Sequence, residues 1–225
     1  MNWVVNFFSS SVGKKVIMSL TGLFLCLFLV VHMSGNFLLL QDDGGVAFNE
    51  YSHFMTNFAP IKVISVTTFG LILFHIFVGL YLAFFNRKAR PVKYAVSKPS
   101  NSWASRNMAL LGTIILFFLV VHLKSFWFEM KFGVVPLDGS GNKDLYKIVY
   151  EAFSQIWYVA IYLVSLVAIG FHLSHGFQSA FQSLGLNHGK YTPFLKGFGW
   201  LFSIGVPLGF AIQPIYVFLK SQGIL

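Results

Sequence analysis

The sequence predicts an all-α integral membrane protein: one bundle of five transmembrane helices, N-terminus inside and C-terminus outside, forming a single domain over residues 1–225. Composition carries the first part of that expectation. Only 10% of the 225 residues are charged and 56% are hydrophobic, with a mean hydropathy of +0.70, whereas an ordinary soluble domain is roughly a quarter charged. Disorder, a coiled coil and a surface-exposed nucleic-acid binder are excluded on that basis, so lipid is expected as the surrounding medium and no nucleic acid as a partner. Run length carries the second part, because a helix needs about 20 apolar residues to cross the hydrocarbon core. The third observation is that no ten-residue alternation marks a barrel strand.

The first span covers residues 16–40, between Lys14-Lys15 and Asp42-Asp43. It is too long for a signal-peptide core and lacks a small-x-small cleavage site, so it is read as a retained helix. Residues 63–85 make the second span, between Lys62 and Arg87, and residues 105–128 the third. The fourth occupies 153–181 and leaves the membrane through Gly185 and Asn187. Residues 197–219 make the fifth, with Pro207 and Pro214 tolerated because neighbouring helices re-satisfy the carbonyls they free.

Charge gives the direction. The N-terminus, the loop of residues 86–106 and the region around Lys190 hold ten Lys or Arg, and the other side holds six. The richer side is read as cytoplasmic. All seven acidic residues, Asp42, Asp43, Glu50, Glu129, Asp138, Asp144 and Glu151, fall on the opposite side. Arg87, Lys88, Arg90, Lys93 and Lys98 form the densest basic cluster, suited to anionic lipid or a peripheral partner.

Histidines carry the chemistry. Four lie well within spans, one on each of the first four: His32, His75, His122 and His172, with His175 one turn beyond the last. A charged side chain at such depth costs on the order of 3 kcal/mol, so each is a functional candidate. At a rise of about 1.5 Å per residue, His32 and His122 each sit roughly 24 to 26 Å from the inner end of their helices. His75 and His172 lie in the inner half, which yields two pairs at two depths. Each pair could ligate one haem from both sides within a helical bundle. Gly35, Gly79 and Gly176 share a helix face with His32, His75 and His172 and are expected to admit a flat ring. Each ligand's spare ring nitrogen is expected to bond a helix carbonyl one turn earlier. Cys26 is the single cysteine and no Cys-x-x-Cys-His motif occurs, so haem would be held without thioether links.

Other readings stay open on the residues alone. Histidine can serve as interhelical polar glue in a haem-free small-solute transporter, though such a protein calls for an inverted repeat that five unequal spans do not show. A proton relay would mix His with intramembrane carboxylates, and the spans contain none. Zinc and copper favour three or four converging ligands over separated pairs.

The segments Phe28-Leu-Val-Val-His32, Ala47-Phe-Asn-Glu-Tyr-Ser-His53-Phe-Met, Phe74-His75 with Gly79-Leu-Tyr-Leu-Ala-Phe, Val121-His122 and Phe171-His172-Leu-Ser-His-Gly176 jointly resemble the five-helix dihaem cytochrome b subunit of succinate dehydrogenases and quinol:fumarate reductases. The resemblance covers nearly the whole chain. It implies two haem b, with His32 and His122 on the iron of the outer one and His75 and His172 on the iron of the inner one. It further implies a membrane anchor in the bacterial inner membrane that passes electrons between a cytoplasmic iron-sulfur subunit and quinone, usually menaquinone. A flavoprotein would complete the complex and perform the dicarboxylate chemistry, leaving no catalytic residue here. A dihaem anchor of another respiratory oxidoreductase is the nearest alternative. Family forms that move protons through a carboxylate on the fourth helix place it two residues before the ligand, where this chain has Gly170.

Polar residues near the two interfaces complete the candidates. Arg106 and Ser19, with Gln178 and Ser179, lie near the level where propionates of the inner haem would end, and Arg offers a bidentate partner. On the outer side His53, Glu50 and Asn57, with Asn36, could hydrogen-bond a quinone carbonyl. His188 falls in an inner loop and is expected to be solvated.

Overall fold

A computed structural model describes residues 2–89 and 102–225. A short helix, α1 (Trp3–Ser9), leads into α2 (Ser11–Asn36), which tightens into a 3-10 turn at Phe37–Leu40. Then come α3 (Val46–Asn57), α4 (Ala59–Lys88), α5 (Trp103–Arg106) and α6 (Met108–His122). The last continues through a π-helical stretch, Leu123–Phe128, into α7 (Glu129–Phe132). The chain ends with α8 (Leu145–Phe153), α9 (Ile156–Ser183) and α10 (Thr192–Ser221). Among the described residues there is no strand, only a lone antiparallel bridge between Leu137 and Lys143.

Five helical segments are long and apolar enough to cross a membrane: Ser11–Leu40, Ala59–Lys88, Met108–Phe132, Ile156–Ser183 and Thr192–Ser221. The protein is therefore a multi-pass, all-helical membrane bundle. Leu27, Phe77, Phe117, Val164 and Trp200, one from each span, are exposed, as lipid-facing side chains must be. The third span starts later than its apolar run predicts, because the chain breaks at Asn107, whose side-chain amide donates to the Trp103 carbonyl. Of the basic cluster after the second span, Arg90, Lys93 and Lys98 lie outside the described residues.

Local chemistry sets the ends. The Ser10 hydroxyl accepts from the Gly13 amide at the start of α2, and proline occupies the first turn of α4 and of α10, where its missing N–H costs nothing. α9 runs on to Ser183 and stops in a left-handed Gly185, with the Leu186 amide donating to the Phe181 carbonyl and the Gly185 amide to Gln182. Pro207 and Pro214 sit inside α10, as expected. Pro207 leaves the Ser203 carbonyl without its helical donor, and that oxygen faces α9 at Gly170, where a Cβ would lie 3.1 Å from it.

Cross-helix contacts fix the directions. Thr21 of α2 meets His75 of α4, Phe69 of α4 meets Trp127, His122 of α6 meets Tyr162 of α9, and Gly170 of α9 meets Ser203 of α10. Met33 of α2 accepts from Gln213 of α10 at 3.3 Å, and Lys220 pairs with Asp42 at 2.8 Å. The spans thus alternate in direction and the two termini lie at opposite ends of the bundle.

Packing is uneven along the axis. The main core lies toward the C-terminal end and joins Leu39, Phe48, Val149, Phe153, Tyr158, Val159, Tyr162 and Val217. α9 buries nine residues and α10 eight, whereas α4 buries Thr68 alone and α6 Leu111 alone. The core is closed over by two helices outside the spans, α3 and α8, and one residue clamps them. Asn49 is 2% exposed, donates to Asp144 Oδ1 at 2.9 Å and accepts from the Tyr146 amide at 2.9 Å. Asp144 also caps α8 by accepting from the Lys147 amide at 3.0 Å. Gly45, at φ +89°, starts α3 with the Tyr146 ring lying where a side chain would project, so both its backbone and its space require glycine.

Asn49→Ala should cost about 2 kcal/mol, because it removes both hydrogen bonds of a buried side chain and leaves the Tyr146 amide without its acceptor. Thermal unfolding in detergent should show the loss, with faster tryptic cleavage at Lys143 and Lys147. Asp43 predicts an acid dependence at the same end. The Ala47 amide foremost, then that of Gly45, holds its carboxyl below the usual range. Its support of α3 is therefore complete above about pH 4 and lost as pH falls through the lowered folded value. Amide exchange in α3 should speed up on acidification, and Asp43→Ala should make it fast already at neutral pH.

Candidate functional site

The interior of the bundle brings the four span histidines together as two opposed pairs. His32 of α2 faces His122 of α6, with ring centroids 5.8 Å apart and planes at 89°. His75 of α4 faces His172 of α9 at 6.4 Å and 68°. Both spacings suit a metal held between two rings, since a ligating nitrogen about 2 Å from the ion on each side puts the centroids about 6 Å apart. The pairs share no member, and among the described residues no group of three or more His, Cys, Asp or Glu converges on one point.

Their separation can be read along three helices. Thr21, which touches His75, precedes His32 by eleven residues on α2; Gly112, beside His172, precedes His122 by ten on α6; Tyr162, beside His122, precedes His172 by ten on α9. Each interval corresponds to about 15 Å. The two levels of the sequence argument are therefore present, with the His75/His172 pair nearer the N-terminal end.

The residues orienting these rings differ from the expected ones. No helix carbonyl one turn earlier serves any of the four. His75 Nδ1 instead meets Thr21 Oγ1 at 2.9 Å. That hydroxyl also lies 2.9 Å from the Ile17 carbonyl; when it donates there, its oxygen accepts from His75 Nδ1–H, the tautomer that leaves Nε2 free to ligate. His122 Nδ1 meets Tyr162 Oη at 3.0 Å, and Tyr162 Oη lies 3.5 Å from Tyr158 Oη. His32 is held by rings, stacked on Phe28 at 5.3 Å and beside Phe210 at 5.7 Å. His172 Nδ1 is the one buried side-chain nitrogen or oxygen with no hydrogen-bond partner among the described residues. An unpartnered imidazole nitrogen is costly in a helical bundle, and the described residues supply no partner for this one.

Two glycines on neighbouring helices border imidazole edges at ordinary van der Waals distance. A Cβ on Gly22 would lie 3.5 Å from His75 Cε1, and one on Gly112 would lie 4.0 Å from His172 Cε1. Of the glycines expected to admit a flat macrocycle, Gly176 has nothing within 4 Å, Gly79 has Met18 Cε at 3.7 Å, and the space at Gly35 is taken by the Tyr51 ring. Thr21, Tyr162, Gly22 and Gly112 lay outside the sequence-based candidates because each acts across a helix interface. His175 is half-buried and joins neither pair.

The two ring spacings, with the pairs drawn from four different spans at two levels, fit two bis-imidazole haem sites. Of the candidate propionate partners, Arg106 is exposed at the end of α5, which packs on α9 through Trp103 against Phe171 at 5.2 Å. Ser19 is buried and donates to the Lys15 carbonyl at 2.8 Å, so its oxygen is left only as an acceptor. Gln178 is exposed, and the Ser179 hydroxyl donates to the Gly176 carbonyl at 3.1 Å. Glu50, His53 and Asn57 share one exposed face of α3, where Asn57 donates to the His53 carbonyl at 2.9 Å. His188 is exposed and stacks on Tyr191 at 5.4 Å.

Gly170 has a structural role of its own. It lets α9 close on the Ser203 carbonyl freed by Pro207, and a glutamate side chain would have to force that contact open. Compared with known protein families, with curated proteins and with solved structures, the chain finds no match.

Proposed function

We propose that this protein is the dihaem cytochrome b membrane anchor of a succinate:quinone oxidoreductase, passing electrons between a cytoplasmic iron-sulfur subunit and membrane quinone. The observation that carries this is the pair of opposed imidazole couples, one per level, drawn from four different spans. Haem b, when bound, supplies a one-electron iron couple that no amino-acid side chain here provides.

The chain's own residues hold and orient. His75 and His172 would ligate the inner group and His32 and His122 the outer one. Thr21 fixes the proton on His75 Nδ1, and Gly22 and Gly112 leave room at the ring edges. The aromatic core of Phe126, Phe153, Tyr158 and Tyr162 excludes water beside His122. Arg106 is the side chain suited to an inner propionate, through a charge-assisted bond.

The placement of partners follows from charge. Ten of sixteen Lys and Arg fall at the N-terminal end of the bundle and all seven acids at the other, which favours an N-terminus on the cytoplasmic face of a bacterial inner membrane. The iron-sulfur protein, bound to a flavoprotein, would dock there, next to the His75/His172 level. Quinone, menaquinone by family resemblance, would approach the opposite end, where Glu50, His53 and Asn57 offer polar contacts.

Substitution of single histidines tests the assignment. His75→Ala or His172→Ala should lower haem from two to one per chain, and His32→Ala or His122→Ala should remove the other, while His175→Ala keeps both. Haem quantified on the assembled complex checks this, and two haems retained in any of the four ligand variants would refute it. Gly22→Val should likewise lose the inner haem alone, because a branched side chain there meets the His75 ring.

A further inference from the structure

The two histidine pairs are dressed differently, and resting on the reading just given, the difference has a redox consequence. In the inner pair the hydrogen-bonded ring, His75, meets an aliphatic hydroxyl already donating to its own helix. In the outer pair His122 meets a phenol, Tyr162, that is buried at 7% exposure and lies against a second buried phenol, Tyr158. Phe118 packs on Tyr162 with ring centroids 4.8 Å apart, and Phe153 does the same at 4.8 Å, so the hydroxyl is held in place from two sides.

The hydrogen bonds admit two directions. Tyr162 can donate to His122 Nδ1, which forces the proton onto Nε2 and blocks ligation. Alternatively it accepts from Nδ1–H and donates to Tyr158, which frees Nε2. Only the second is compatible with a ligand at His122. A ring that donates from Nδ1 is a stronger electron donor through Nε2, and a stronger donor favours the oxidised iron.

We propose that Tyr162 is a positioning residue that sets the outer haem site below the potential it would otherwise have, by accepting a hydrogen bond from His122 Nδ1 and passing its own to Tyr158. The two phenols act as a unit, since donation to Tyr158 polarises Tyr162 and strengthens it as an acceptor. Thr21 performs the corresponding task for His75 on another helix, so the two sites are adjustable independently.

Redox titration of the complex in native membranes tests this, with the outer midpoint identified as the one that survives in His75→Ala. Tyr162→Phe should keep both haems and raise only that midpoint, by about a tenfold change in the oxidised-to-reduced preference, or about 59 mV for a one-electron couple. Tyr158→Phe should raise the same midpoint by less, and it serves as the test should Tyr162→Phe fail to assemble. Thr21→Val should move the other midpoint. An unchanged or lowered outer midpoint in an assembled tyrosine variant, or equal shifts of both, would overturn the proposal while leaving the two-haem function intact. A wild-type complex without haem would overturn both together.

Discussion

A membrane interior offers an imidazole nothing to bond, and this constraint shapes the bundle. Each of the four histidines in the spans needs its ring nitrogens accounted for by protein or by a bound group. For His75 and His122 the protein supplies one partner apiece, Thr21 and Tyr162, and both come from a neighbouring helix. Helix rotations and spacings around these contacts are therefore set by polar geometry as much as by apolar packing, which is weak as a driving force between helices in lipid. At His172 Nδ1 the partners offered by the described residues run out.

The same constraint separates two kinds of helix. α9 and α10 bury most of the packed surface and serve as the wall on which the main core is built. α4 and α6 bury almost nothing beyond Thr68 and Leu111. Beyond the spans, α3 and α8 close over the main core, with Asn49 and Asp144 joining them. The stiff end of the molecule thus adjoins the His32/His122 level, and Tyr162 belongs both to that core and to the histidine contact.

Much of this was legible in the sequence, and the failures have a common cause. Apolar run length located all five spans to within a few residues, and rise per residue separated His32 and His122 from His75 and His172, because both signals lie along the chain. What escaped depends on rotation between helices. Gly35 shares a face with His32, yet its space is taken by the Tyr51 ring, while Gly22 and Gly112 border the His75 and His172 rings from across an interface. The carbonyl partners expected one turn before each ligand were displaced by Thr21 and Tyr162. Asn49 carried no periodic signal and shows its importance only through Asp144 and Tyr146, almost a hundred residues away. Gly170 reads as a missing carboxylate in sequence and as a packing contact for a proline-freed carbonyl in space.

The central claim is that the two imidazole pairs each hold a haem. Oxidised and dithionite-reduced absorption spectra of the complex extracted from its native membrane, with haem quantified per copy of this chain, test it most directly. Two b-type haems per chain are predicted. A folded complex with its native partners retained and no haem would contradict the claim and return the histidines to packing or transport.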